Sequence, residues 1–215
     1  MKKPWLILVL LTSLTTAALA QQDWHYLYEQ QQDRAEELFN HYFFKEDYRQ
    51  AVIHLEWLLS EAPAVSSSYY MLGIETYTAL SRQAGEEDEQ LRYAMLSIQM
   101  YDRYLRYFGD TNRILNLKLR QAFELLHQHP ERYPYLQTLC REVIEQTREA
   151  FAFYNYVPAA HFARIQYRRG KIGRQDVDKL LARLKAYATH PAHQHQQLYR
   201  EAYEKSAELL LTLEE

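Results

Sequence analysis

Apolar residues recur along this chain every three or four positions, almost without a break. That spacing places them on one face of a helix rather than on alternate sides of a strand. Read together with its polar and Pro/Gly punctuation, the pattern predicts helices over 23–45, 47–61, 67–83, 88–108, 111–128, 131–150, 155–169, 174–188 and 193–213. Each interruption has a physical reason. Pro63 lies where the second helix cannot continue, and Gly109 follows YLRYF where a helix can end in a left-handed residue. Asp110 or Thr111 can then cap the next helix. Pro130 and Pro134 fall in a first turn, which tolerates a missing N–H, and Gly170 and Gly173 bracket a turn between two helices. The polar run RQAGEEDEQ, from Arg82 to Gln90, is expected to be a long exposed connection, and no stretch reads as an interdomain linker.

Composition points to the same class. Five glycines and six prolines in 215 residues are too few for the turns an all-β chain of this length needs, whereas Leu, Ala, Gln, Glu and Arg abound. With 47% hydrophobic and 14% aromatic residues, the chain has the material for a packed core. The fold class is all-α. Helices this short, joined by short loops, pack as antiparallel pairs, giving about four helical hairpins plus a C-terminal capping helix. That last helix is HQQLYREAYEKSAELLLTLEE, and its Leu209–Leu213 edge also suits dimerisation.

The pairs invite a search for a repeat. Ala51, Leu55 and Leu58 set small or apolar residues at matching helical positions, as do Ser97, Tyr101 and Tyr104, then Leu136, Cys140 and Val143, then Val177, Leu181 and Leu184. Successive sets lie 46, 39 and 41 residues apart. The small residues Ala51 and Ser97 let two helix axes approach closely. On these positions the chain resembles the tetratricopeptide repeat. In FFKEDYRQAVIHLEWLLSEAP, the Asp47-Tyr48 turn, Ala51, Leu55, Leu58 and Pro63 match the closing helix of that motif. In YYMLGIETY, Tyr69, Leu72, Gly73 and Tyr77 match the opening helix of the next, and SIQMYDRYLRYFG supplies its closing helix with Ser97 at the small position and Gly109 near the usual proline. The segments YDRYLRYFGD, RILNLKLRQAFEL, PERYPYLQTLCREVIE and YRRGKIGRQDV further resemble a family of secreted, tetratricopeptide-like proteins of Bacteroidetes-type bacteria. The resemblance implies a right-handed α–α superhelix over residues 21–215 and an envelope location, and it brings no established activity.

The first twenty residues stand apart from that fold. MKKPWLILVLLTSLTTAALA has a basic start at Lys2 and Lys3, an apolar run from Trp5 to Leu11, and small residues at Ala18 and Ala20. This is the layout of a secretory signal peptide cleaved after Ala20, which predicts a periplasmic or secreted protein with no later membrane span. Cleavage leaves 23 basic against 28 acidic residues, a net of −5, and an acidic surface argues against nucleic acid as a partner.

Candidate chemistry is sparse. HPAHQH places His190, His193 and His195 within six residues, a weak candidate for zinc or copper, with a solvated loop as the plainer reading. Arg164, Arg168, Arg169, Lys171 and Arg174 surround the Gly170 turn, as cations do at a helix C-terminus, although an anionic segment or headgroup would also find them attractive. Cys140, the sole cysteine, shares a helical face with Leu136, Leu139, Val143 and Ile144 and reads as a small buried hydrophobe. Signatures such as G-x-S-x-G, a P-loop or G-x-G-x-x-G are absent, and pairs such as Glu36/Glu37 point apart on a helix. The chain is therefore not expected to be an enzyme or to need a cofactor.

Nineteen tyrosines are the most unusual feature. Aromatic rings fill the space between paired helices, and those left on a free surface make good anchors for a peptide. Tyr42, Tyr69, Tyr77, Tyr101 and Tyr154 are the candidate contacts. The expectation is an exported scaffold that binds a protein or peptide on a concave helical surface. The alternative is a small-ligand or metal-binding protein using the His190–His195 loop.

Overall fold

The computed structural model describes residues 29–191, 193 and 196–212. The signal sequence expected over 1–20, and His195, lie outside the described residues. Among the described residues the chain is all-α, with α1 over 29–44, α2 (Tyr48–Glu61), α3 (Ser67–Gln83), α4 (Glu87–Phe108), α5 (Thr111–Leu126), α6 (Tyr133–Thr147), α7 (Tyr156–Arg168), α8 (Arg174–Ala188) and α9 (Gln196–Leu211). Short 3-10 turns at Pro130–Arg132, Arg148–Ala150 and Phe153–Asn155 join the middle helices. The chain divides into two compact units, Met1–Leu80 and Ser81–Glu215.

The punctuation works largely as the sequence predicts. Asp47 caps α2, its carboxylate accepting from the Gln50 N–H at 3.3 Å. Pro130 opens a 3-10 turn and Pro134 sits in the first turn of α6. Gly109 ends α4 at φ +75°, a conformation that only glycine adopts cheaply. Asp110 then takes an unexpected role. It occupies the N-cap position of α5 without making the cap bond, and its carboxylate pairs with Arg113 instead. At the next turn, Asp176 reaches back to accept from the Gly173 N–H at 3.0 Å and fixes the start of α8.

The long connection expected over Arg82–Gln90 is a correction. Only Ala84–Glu86 lies outside helix, because two polar side chains close the turn. Ser81 Oγ donates to the Gln90 carbonyl at 2.8 Å, and Gln90 Nε2 donates to the Ala84 carbonyl at 2.8 Å. Glu87, Asp88 and Glu89 then sit in the first turn of α4, where the helix dipole favours negative charge. Six of its nine residues are helical, two ending α3 and four opening α4.

In the first unit, α1, α2 and α3 are tied by aromatic and polar contacts. Phe39 is fully buried with the Tyr69 ring edge-on at 5.6 Å, and Tyr42 stacks on His54 at 5.7 Å. Ala51, Leu55 and Leu58 are fully buried on α2, as the repeat spacing predicts. In the second unit, α4 packs on α5 and α5 on α6, while α7, α8 and α9 each contact the other two. One core runs through this unit, from Ile98 on α4 through Leu119 on α5 and Val143 on α6 to Leu184 on α8. Fully burying such a side chain contributes roughly 1.5–3 kcal/mol. The last helix is more than a solvated cap. Ala202, Ser206 and Leu210 on α9 are buried, and the helix lies along α7 as well as α8.

Candidate functional site

The outward face of α5 in the second unit combines exposed charge with aromatic surface. Arg113, Leu117, Arg120 and Glu124 recur on it at helical spacing, with Leu117 half-buried and the other three exposed. The opposite face carries Ile114, Leu115, Leu119, Ala122 and Leu126 into the core. Two neighbours frame the stripe. From α4, Tyr104 accepts from Arg113 Nη2 at 3.3 Å, while Glu124 at the far end of the stripe pairs with Arg82 at 2.8 Å. From the Phe153–Asn155 turn, Tyr154 lies 5.4 Å below the Arg120 guanidinium, a cation–π distance.

The Tyr154 turn is held by a buried amide pair. Asn116, only 2% exposed, sits on the apolar side of α5. Its Nδ2 donates to the carbonyls of Asn112 at 2.8 Å and Ala150 at 2.9 Å, and its Oδ1 accepts from the Ala152 N–H at 2.7 Å. Asn155, fully buried, donates its Nδ2 to Asn116 Oδ1 and to the Asn116 carbonyl, both at 3.0 Å. One side chain on α5 thus satisfies the backbone of the turn that carries Tyr154. The ring of Phe153 then stands edge-on to Tyr199 of α9 at 5.5 Å, closing the turn from the other side.

The electrostatics of this face keep the Tyr101 and Tyr154 hydroxyls neutral. Burial, with Tyr154 and Glu124 nearby, pushes Tyr101 up to about 12, and Arg120 only partly opposes the shift. Burial likewise raises Tyr154, against the pull of Arg120 and Arg113. Arg120 itself has no acidic partner among the described residues, so its charge is presented to solvent over an aromatic ring.

The five tyrosines predicted as contacts separate into two groups. Tyr69, Tyr77 and Tyr101 are buried, and this corrects their expected role as exposed anchors. Tyr69 donates to Glu36 at 2.8 Å and Tyr77 to Glu56 at 2.7 Å, so both hydroxyls are used between helices of the first unit. Tyr101 is buried close enough to Arg120 and Tyr154 to feel the charge of both. Tyr42 and Tyr154 are half-buried and keep ring surface open. Of the repeat positions, Ala51, Leu55, Leu58, Gly73, Ser97, Tyr101 and Tyr104 are buried. Leu72 and Pro63 are half-buried, and the Pro63 carbonyl accepts from Tyr70 at 2.6 Å.

Of the three loop histidines, His190 and His193 are described, and both pack against rings. His193 stacks on Tyr199 at 3.8 Å, and the His190 ring lies edge-on to it at 5.7 Å. Among the described residues no group of three His, Cys, Asp or Glu side chains is placed to hold a metal ion. Arg113, Arg120 and Asn116 escaped the sequence reading. Their one signal is the spacing of Arg113, Leu117 and Arg120, which any solvated helix face can show, and an Asn among the apolar positions of RILNLKLRQAFEL. Comparison with models of protein families, with curated proteins and with solved structures gives no significant match, and no family is identified.

Proposed function

We propose that this chain is an exported binding module, periplasmic or secreted after cleavage at Ala20, whose α5 face holds an acidic segment of a protein or peptide. On this reading the hairpins belong to a right-handed, tetratricopeptide-like solenoid, and the opening helix α5 faces the partner. The observation that carries the proposal is the Arg120 guanidinium 5.4 Å over Tyr154, exposed and without an acidic partner among the described residues. Such a pair offers a carboxylate a charge-assisted hydrogen bond and offers an apolar side chain a flat ring, the two contact types that dominate binding hot spots. The neutral Tyr154 hydroxyl adds a donor of fixed protonation.

Among the described residues no helix is long and apolar enough to cross a membrane. A photo-crosslinking residue at Leu117, used in an envelope fraction, tests the reading. One defined adduct is expected, lost with Arg120→Glu and with Tyr154→Ala while the thermal transition stays in place. Identical adducts from all three proteins would overturn it.

A further inference from the structure

A second site lies in the same unit, in a cleft of about 280 Å³ between α6, α7 and α8. Its floor is apolar: Cys140 and Ile144 from α6, Ala159, Phe162 and Ala163 from α7, and Leu180 from α8. The first five of these are buried core residues, at 1–7% exposure, so the floor is fixed by packing that does not depend on an occupant. The volume is close to the lower end of small-molecule sites, about 300 Å³, and exceeds the roughly 150 Å³ that holds a benzene ring in an apolar cavity.

Two polar features separate this cleft from a packing defect. Gln166 lines it at 5% exposure, and its side-chain amide makes no hydrogen bond to a described residue. The amide reaches the cleft surface, where a ligand head group can replace water as its partner. Arg141, Lys179 and Arg183 stand around the mouth, exposed, and none has an ion-pair partner among the described residues. Two acids stand at the same rim, Glu145 and Asp176, the latter accepting from the Gly173 N–H at 3.0 Å and keeping its charge, against the three cations. The rim therefore carries more available cation than anion.

We propose that the cleft between α6, α7 and α8 binds a small amphiphilic carboxylate, with its hydrocarbon on the Cys140–Phe162 floor and its head group among Gln166 and the rim cations. The size selects a short chain or single ring, since a long acyl chain would project into water. The inference is independent of the α5 face, with which this cleft shares no residue.

Calorimetric titration of the full chain with octanoate, beside octylammonium as the charge-reversed control, tests the proposal. Octanoate is expected to bind saturably in the sub-millimolar range, to shift the methyl resonances of Ile144, Ile172 and Leu180, and to outcompete octylammonium. Arg183→Glu, an exposed change that leaves the floor intact, should weaken octanoate about tenfold, the value of one charge-assisted hydrogen bond. Gln166→Leu should weaken binding while leaving the thermal transition of the free protein unchanged or higher, a split that a purely structural glutamine would not show. Equal binding of the two amphiphiles, methyl shifts away from the cleft, or no saturable octanoate heat would each overturn the assignment.

Discussion

Replacing Asn116 by alanine tests whether one buried amide positions the Tyr154 turn. The substitution keeps the helix, since alanine is the best helix former, and removes four polar contacts. Their loss is uneven. The Asn112 carbonyl lies within α5, which lessens its dependence on the side chain, and Asn155 Nδ2 keeps the Asn116 carbonyl at 3.0 Å. The Ala150 carbonyl sits on an exposed residue and can be taken up by water, whereas the Ala152 N–H is half-buried and loses a 2.7 Å acceptor. One stranded donor at about 1–3 kcal/mol, plus part of a second group, gives about 2 kcal/mol. For a chain of this size that corresponds to a fall in Tm of about 4–8 °C. Circular dichroism melting measures it, with Asn112→Ala as the exposed control expected to stay within about 0.5 kcal/mol of wild type. The turn should also loosen, so the Tyr154 ring should show greater exposure to a fluorescence quencher. An unchanged melting temperature for Asn116→Ala would refute the argument that this side chain organises the turn.

Two other outcomes follow from buried groups. The Tyr156 hydroxyl is buried without a hydrogen-bond partner among the described residues, so Tyr156→Phe should be neutral or stabilising in urea unfolding, and a loss above about 1 kcal/mol would show a missed partner. Burial pushes the Cys140 thiol up to about 12, against about 8.5 for an exposed thiol, so alkylation at neutral pH should be on the order of a thousand times slower than for a free cysteine. The folded state holds that proton more tightly than the unfolded chain. Its contribution to stability is therefore complete below about pH 8.5 and is lost as pH climbs from there toward 12, a decline that Cys140→Ala should lessen in base-induced unfolding.

Helix class, helix number and most helix ends follow from local sequence, because periodic apolar faces and capping residues act within a few positions of themselves. The predicted spans 67–83 and 174–188 coincide with α3 (Ser67–Gln83) and α8 (Arg174–Ala188) for that reason. The buried positions Ala51, Leu55, Leu58 and Ser97 were equally legible, since a small or apolar residue at helical spacing has one place to go. The Arg82–Gln90 run was misread because its polarity serves a turn closed by Ser81 and Gln90, a bond between residues nine apart.

Side-chain destinations depended on tertiary structure. A tyrosine suits a core and a surface equally well, so nothing local distinguished buried Tyr69, Tyr77 and Tyr101 from half-open Tyr154. That choice was made by partners far along the chain, such as Glu36 for Tyr69, 33 residues away, and Asn116 for the turn holding Tyr154, 36 residues from the Ala152 N–H it accepts. The cleft over Cys140 likewise draws its walls from three helices, and the pairing of Arg120 with Tyr154 joins two elements that the sequence keeps apart. The sequence alone determined which segments are helical, because that depends on neighbours three and four residues away. Which faces meet, and so which charges and rings remain free to bind, was decided only when distant segments competed for the same buried surface.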